Sequence, residues 1–167
     1  DSLVNFENLI GSSLSDVLTG DSNANTILGG AGDDTIDGGL GDDSLDGGAG
    51  NDTVSYASAT GSVTVDLGAG TSTGALGNDS LVNFENLIGS SLSDVLTGDS
   101  NANTILGGAG DDSIDGGLGD DSLDGGAGND TVSYAAATGS VTVDLGAGTS
   151  TGALGNDSLV NFENLIG

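Results

Sequence analysis

A nine-residue unit recurs through this chain, and each unit brings one aliphatic side chain at a fixed place among glycines and aspartates. The run GGAGDDTID from Gly29, GGLGDDSLD from Gly38 and GGAGNDTVS from Gly47 returns from Gly107 with a single change. Its eighth positions hold Ile36, Leu45 and Val54. One such side chain cannot enclose a core, so no unit folds alone and burial must come from unit stacked on unit. Stacking also lays the aspartates of one unit over those of the next.

Charge opposes that stacking. The 167 residues include 26 acidic side chains and no Lys, Arg or His, a formal net charge of -26. Two like charges about 5 Å apart repel by roughly 3 kcal/mol at an effective dielectric near 20, a large part of a domain's net stability. No basic side chain offsets this, so relief has to come from outside the chain. The 33 glycines, 3% aromatic residues and this charge would alone suggest disorder. Against that, the 35% hydrophobic residues fall at fixed positions and proline is absent.

The same composition removes several function classes. A phosphate-binding surface needs cations, which argues against nucleic acid and anionic membranes as partners. Without Cys, neither disulfides nor thiolate metal sites are available. No apolar stretch approaches the roughly 20 residues of a membrane span, and no signal peptide opens the chain. The sequence begins and ends inside a repeat, as an excerpt of a longer array would.

A longer period encloses the short one. DSLVNFENLIG begins at Asp1, Asp79 and Asp157, a spacing of 78 residues, and the two copies differ only at Thr35 against Ser113 and Ser58 against Ala136. The expected division is copy one at 1–78, copy two at 79–156 and the start of a third at 157–167. Units with an acid or amide sixth and an aliphatic residue eighth begin at Ser2, Gly11, Gly20, Gly29, Gly38 and Gly47. They place a nonapeptide roll over 2–55, with its counterpart over 80–133. Segments 56–73 and 134–151 are atypical, and in the first of them Val63, Val65 and Leu67 alternate as strand residues do. From Asp52 to Asp79 is 27 residues, or three units, so the short phase survives the atypical stretch. That favours one continuous solenoid over small rolls joined by spacers. With 18 residues per coil and about 4.8 Å between coils, a copy advances about 21 Å.

Glycines at positions one, two and four let carbonyls converge with no Cβ in the way. Converging carbonyls beside a carboxylate suit a hard cation. Ca²⁺ accepts six to eight oxygens in flexible geometry, whereas Mg²⁺ demands a near-ideal octahedron and keeps its water. The absence of His and Cys argues against the usual transition-metal sites. Each buried aliphatic side chain contributes about 1.5 to 3 kcal/mol, which ordering nine residues largely cancels, so metal binding decides whether the chain folds.

GGAGDDTID resembles the Gly-Gly-x-Gly-x-Asp-x-apolar-x unit of the repeats-in-toxin, or hemolysin-type, calcium-binding family, with three consecutive matches in each copy. The resemblance implies an all-β fold, a parallel β-roll or β-solenoid in which six residues turn, three form a strand and two units make one coil. It implies several Ca²⁺ per repeat, held between turns one coil apart. The implied side-chain ligands are Asp34, Asp43 and Asp52 with Asp16 and Asn25, then Asp112, Asp121 and Asp130 with Asp94 and Asn103. Asp79 and Asp157 continue the series. The implied carbonyl ligands of the first copy are Gly29, Gly30, Ala31 and Gly32, then Gly38, Gly39, Leu40 and Gly41, then Gly47, Gly48, Ala49 and Gly50. Those of the second are Gly107, Gly108, Ala109 and Gly110, then Gly116, Gly117, Leu118 and Gly119, then Gly125, Gly126, Ala127 and Gly128.

Other positions read differently. Leu9, Ile27 and Leu45 should stack on one wall, and Leu18, Ile36 and Val54 on the opposite one. Asp33 and Asp42 are expected to solvate the turns, and Asp37 and Asp46 to point outward. The aromatic residues Phe6, Tyr56, Phe84, Tyr134 and Phe162 should fill widened coils where the repeat breaks phase. With no His, Lys, Arg or Cys, catalysis within this sequence is not expected. The functional expectation is a secreted bacterial Ca²⁺-binding module at the cell surface, partnered by calcium and further copies of itself in an adhesin, surface layer or filament. The alternative is the Ca²⁺-dependent folding region of a secreted protease, lipase or epimerase.

Overall fold

A strand of three residues around each eighth position is the simplest answer to this sequence, because it turns one aliphatic side chain inward and its small polar neighbours outward. The structure, a computed structural model, describes residues 6–167, which contain strands and turns and no helix. Residues 1–5, where copy one and its Ser2 unit begin, lie outside the described residues. The first 78-residue period counted from β1 supplies β1 (Asn8–Ile10), β2 (Val17–Thr19), β3 (Thr26–Ala31), β4 (Thr35–Asp37), β5 (Ser44–Ala49), β6 (Thr53–Ser55), β7 (Val63–Asp66), β8 (Thr71–Gly74) and β9 (Ser80–Val82), the last lying at the start of copy two. The second supplies β10 (Asn86–Ile88), β11 (Val95–Thr97), β12 (Thr104–Ala109), β13 (Ser113–Asp115), β14 (Ser122–Ala127), β15 (Thr131–Ser133), β16 (Val141–Asp144), β17 (Thr149–Gly152) and β18 (Ser158–Val160), and β19 (Asn164–Ile166) follows.

Consecutive units alternate between two sheets, as a roll requires. One sheet runs β1-β3-β5-β9-β8-β7-β11-β13-β15-β19 and the other β16-β17-β18-β14-β12-β10-β6-β4-β2. Nonapeptide strands pair in parallel with the strand one coil away. Leu9 lies opposite Ile27 and Ile27 opposite Leu45 in the first sheet; Leu18 lies opposite Ile36 and Ile36 opposite Val54 in the second. These are the two expected walls. They face each other to form the core, where Ile27, Ile36 and Val54 are fully buried.

The atypical segment is built otherwise. Val63 and Val65 turn inward as expected, but β7 folds back on β8 as an antiparallel hairpin, and β9 then runs parallel to β5. The short phase therefore does not continue as regular coils between Asp52 and Asp79. Asp79 instead lands directly beside Asp43, its Oδ1 accepting the Asp43 N–H at 3.0 Å. Continuity comes from strand pairing: β5 joins β9 in one sheet, β6 joins β10 in the other, and β7 joins β11. Aromatic side chains close the irregular coils, with Tyr56, Phe84 and Tyr134 buried; Phe6 is exposed, contrary to expectation.

A repeat contains nine strands, and three of them, β7, β8 and β9, fall in one sheet. The next repeat consequently starts in the opposite sheet, with β10 across from the wall that holds β1 and β19. Identical sequence thus appears on alternate faces, and the structural period is two repeats. Each sheet gains nine strands in that period, an advance of about 43 Å at 4.8 Å per strand. The mean advance per repeat stays close to the expected value, while the faces invert.

Candidate metal centre

The glycine turns lie along the two edges of the roll, where the chain crosses between sheets. In the six units that carry glycine at positions one, two and four, the second glycine takes a left-handed backbone: Gly30, Gly39, Gly48, Gly108, Gly117 and Gly126 have φ between 86° and 112°. An L side chain is strained there. At position four of the divergent unit Asn83 and Asn161 adopt the same region, at φ 56° and 55°, asparagine being the best non-glycine residue for it.

Each turn presents its sixth side chain to the coil beside it. The Asp16 N–H donates to Asp34 Oδ1, and the Asp34 N–H to Asp52 Oδ1, both at 2.8 Å. On the other edge the Asn25 N–H donates to Asp43 Oδ1 at 2.7 Å. The second repeat matches, with Asp94 to Asp112, Asp112 to Asp130 and Asn103 to Asp121. Glu85 and Glu163 end two of these series, their Oε2 atoms accepting the Asp52 and Asp130 N–H groups at 2.8 Å.

One oxygen of each carboxylate is thus explained and the other is not. Oδ2 of Asp34, Asp43, Asp52, Asp112, Asp121 and Asp130 is buried and has no hydrogen-bond donor. An unpaired buried carboxylate oxygen is among the least favourable groups a fold can hold. Its surroundings explain its isolation. A methyl group added at Gly29 or Gly107 would overlap the Oδ2 of Asp34 or Asp112 and the carbonyl oxygen of Gly47 or Gly125 from the next coil. Added at Gly38 or Gly116, it would overlap Oδ2 of Asp43 or Asp121; at Gly47 or Gly125, it would meet Asp52 or Asp130 and the carbonyl of Asn83 or Asn161. Absence of Cβ is what keeps these niches open to the carboxylate and carbonyl oxygens beside them.

Burial pushes Asp43 and Asp112 up to about 6 and Asp121 up to about 7, against the N–H bond each accepts, and neighbouring carboxylates add repulsion. Burial raises Asp52 and Asp130 as well. No three carboxylates converge among the described residues. A cation here would draw most of its six to eight oxygens from the backbone, which suits Ca²⁺ and this donor set.

The remaining expected ligands separate into groups. Asp16 and Asp94 have Oδ2 filled by the N–H of Ser12 and Ser90, at 2.5 and 2.6 Å. Asn25 and Asn103 accept the N–H of Asp21 and Asp99 at 2.8 Å. The carbonyls of Ala49 and Ala127 accept the Gly32 and Gly110 N–H groups at 2.9 Å. Gly30 and Ala31 pair with Gly48 and Ala49 in the sheet ladder, as Gly108 and Ala109 do with Gly126 and Ala127. Gly50, Gly119 and Gly128 line the fourth turn positions against the adjacent coil, and Leu40 and Leu118 stand half-exposed at the third. Gly41 donates its N–H to the Leu76 carbonyl.

Asp79 and Asp157 differ most from the sequence reading. Asp79 Oδ1 is taken by Asp43, and its Oδ2 accepts the Tyr56 hydroxyl at 2.9 Å and the Ser72 hydroxyl at 2.7 Å. Tyr134, Ser150 and Asp157 repeat this cluster at 2.7 and 2.6 Å. Sequence reasoning missed Ser72 and Ser150, although a tyrosine at the phase break was a usable signal.

Comparison with known proteins agrees with the geometry. A family model described as the RTX calcium-binding nonapeptide repeat, in four copies, matches residues 10–45, 19–54, 88–123 and 97–132, together more than half of the chain. No curated protein matches. The matched spans contain all six orphan oxygens and all the glycine-cradled turns that hold them, and the chain belongs to the RTX calcium-binding nonapeptide repeat family.

Proposed function

We propose that this chain is a non-catalytic module whose folding and Ca²⁺ binding are one equilibrium, and that it serves as a stiff segment of a secreted bacterial adhesin, surface layer or filament. The observation that carries this reading is the set of six buried, donorless Oδ2 atoms in a chain without a single basic side chain. Asp34, Asp43, Asp52, Asp112, Asp121 and Asp130 would hold the ions together with backbone oxygens of the glycine turns. Bound calcium supplies the positive charge that the sequence lacks. The chain's own part is to hold the carboxylates in fixed niches, with Oδ1 anchored by the neighbouring coil and Oδ2 left free.

The extended role is supported by arrangement. Three orphan oxygens lie on each edge over two repeats: Asp34, Asp52 and Asp121 on one, Asp43, Asp112 and Asp130 on the other. Ion-dependent cohesion is therefore balanced about the axis, as a rod built from further copies requires. Circular dichroism during titration with Ca²⁺, Mg²⁺ and chelator tests the coupling. We expect β-signal to appear with Ca²⁺, to respond weakly to Mg²⁺ and to be lost in chelator. Asp34→Ala with Asp112→Ala should weaken the Ca²⁺ response and leave the chelated spectrum unchanged. Equal β-content with and without chelator would overturn the reading.

A further inference from the structure

The sixth-position side chains are not equivalent. Six have an Oδ2 without a donor, and every one of those units has glycine at position two with positive φ. In the units that begin at Gly11, Gly20, Gly89 and Gly98 the sixth side chains, Asp16, Asn25, Asp94 and Asn103, have no such orphan, and the second positions hold Ser12, Asp21, Ser90 and Asp99. In these four the position-two N–H points back into the turn and donates to the sixth side chain, at 2.5 to 2.8 Å. The side chain at position two then accepts the position-four N–H: Ser12 from Leu14, Asp21 from Asn23, Ser90 from Leu92 and Asp99 from Asn101, at 2.7 to 3.1 Å. Two hydrogen bonds close the loop where an ion would otherwise be needed.

At three of the six turns with glycine at position two, its N–H has an acceptor elsewhere. The Gly39, Gly117 and Gly126 N–H groups donate to the ninth-position carboxylates Asp37, Asp115 and Asp124. Asparagine adds a further argument against metal at its own turns. The Asn103 amide donates to the Glu85 carbonyl at 3.0 Å and to Asp99 Oδ1 at 3.1 Å, so N–H groups occupy that turn.

We infer that each repeat contains two kinds of turn, self-capped turns over 11–16, 20–25, 89–94 and 98–103 that need no ion and open turns over 29–52 and 107–130 that take one, and that the residue at position two decides between them. This rests on the calcium reading above and gives the reason its side-chain ligands are those six aspartates and no others. Number of carboxylates is not the determinant; the direction of one backbone N–H is.

Equilibrium dialysis of the whole chain against CaCl₂, counting bound calcium, separates the two ideas. Asp34→Asn with Asp112→Asn should lower uptake. Asn25→Asp with Asn103→Asp adds a carboxylate to the two self-capped turns that lack one at position six and should leave uptake unchanged, whereas Asp99→Gly, Asn101→Gly and Asn103→Asp together should raise it. In the calcium-loaded natural chain, the Ser12, Asp21, Ser90 and Asp99 amides should be protected from hydrogen exchange, a readout that needs no variant to fold. A rise in uptake from Asn25→Asp with Asn103→Asp, or rapid exchange at those four amides, overturns the inference and leaves the calcium reading standing. A natural chain that takes up no calcium overturns both.

Discussion

The open glycine turns and the hairpin junction set the same residue, a sixth-position aspartate, into the same stack and resolve its charge in opposite ways. At Asp34 the second oxygen is buried without a donor; at Asp79 it receives two hydroxyls, from Tyr56 and Ser72. A buried carboxylate needs donors or a cation, and this molecule uses donors where the repeat is irregular and leaves room for a cation where it is regular. The junction takes its donors from the irregular segment, Tyr56 ahead of the hairpin and Ser72 on β8. In the regular turns glycine leaves no side chain to donate.

The comparison breaks most visibly at the junction carboxylates. Asp79→Ala with Asp157→Ala strands the Tyr56 and Ser72 hydroxyls and the Asp43 N–H, and their equivalents, and should cost about 3 kcal/mol or more per junction. Urea unfolding at two saturating Ca²⁺ concentrations should give the same loss at both, because no ion substitutes for the missing acceptor. Tyr56→Phe with Tyr134→Phe removes one of two donors to each Oδ2 and should cost about 1 to 3 kcal/mol per site, again without rescue by added Ca²⁺. Rescue by calcium in either case would mean that the junction binds metal as the open turns do.

Protons sharpen the contrast from the other side. Asp43, Asp112 and Asp121 titrate above an ordinary carboxylate in the folded chain, so the folded form binds their protons more readily than the unfolded one. Their contribution to stability is therefore full below the ordinary carboxylate range and lost as pH rises through about 6 to 7. In chelator, circular dichroism should show β-content increasing as pH is lowered from 8 toward 4. With Ca²⁺ present, affinity should fall over that same descent as protons compete for the niches. A chelated chain equally unfolded throughout would separate the raised acidity constants from folding. The smallest effect belongs to Thr35→Ser, the change already present at Ser113; it alters no niche and should shift stability by less than about 0.5 kcal/mol.

Much of this was legible without coordinates. Position eight identified both apolar walls, and position six gathered the six aspartates that keep an orphan oxygen together with Asp16, Asn25, Asp79 and their equivalents, whose side chains have partners. The hairpin was not legible. Val63, Val65 and Leu67 announced a strand, but whether that strand turns back at Gly70 or winds onward depends on what it pairs with, and β9 and β11 are distant in sequence. Arithmetic placed Asp79 in phase, and the structure placed it beside a tyrosine that no spacing rule associates with it. The self-capped turns were also hidden, since Asn25 reads as a ligand until the direction of the Asp21 N–H is known.

By itself the sequence determined that this chain stacks, that its core is two aliphatic columns, and that its charge must be met from outside, all consequences of a short period and an absence of basic residues. Only the tertiary structure decided which carboxylates keep a buried oxygen without a donor, and on which face each repeat displays them. The first depends on which way one backbone N–H points within a turn, and the second on an odd number of strands per repeat, neither of which the spacing of residue types encodes.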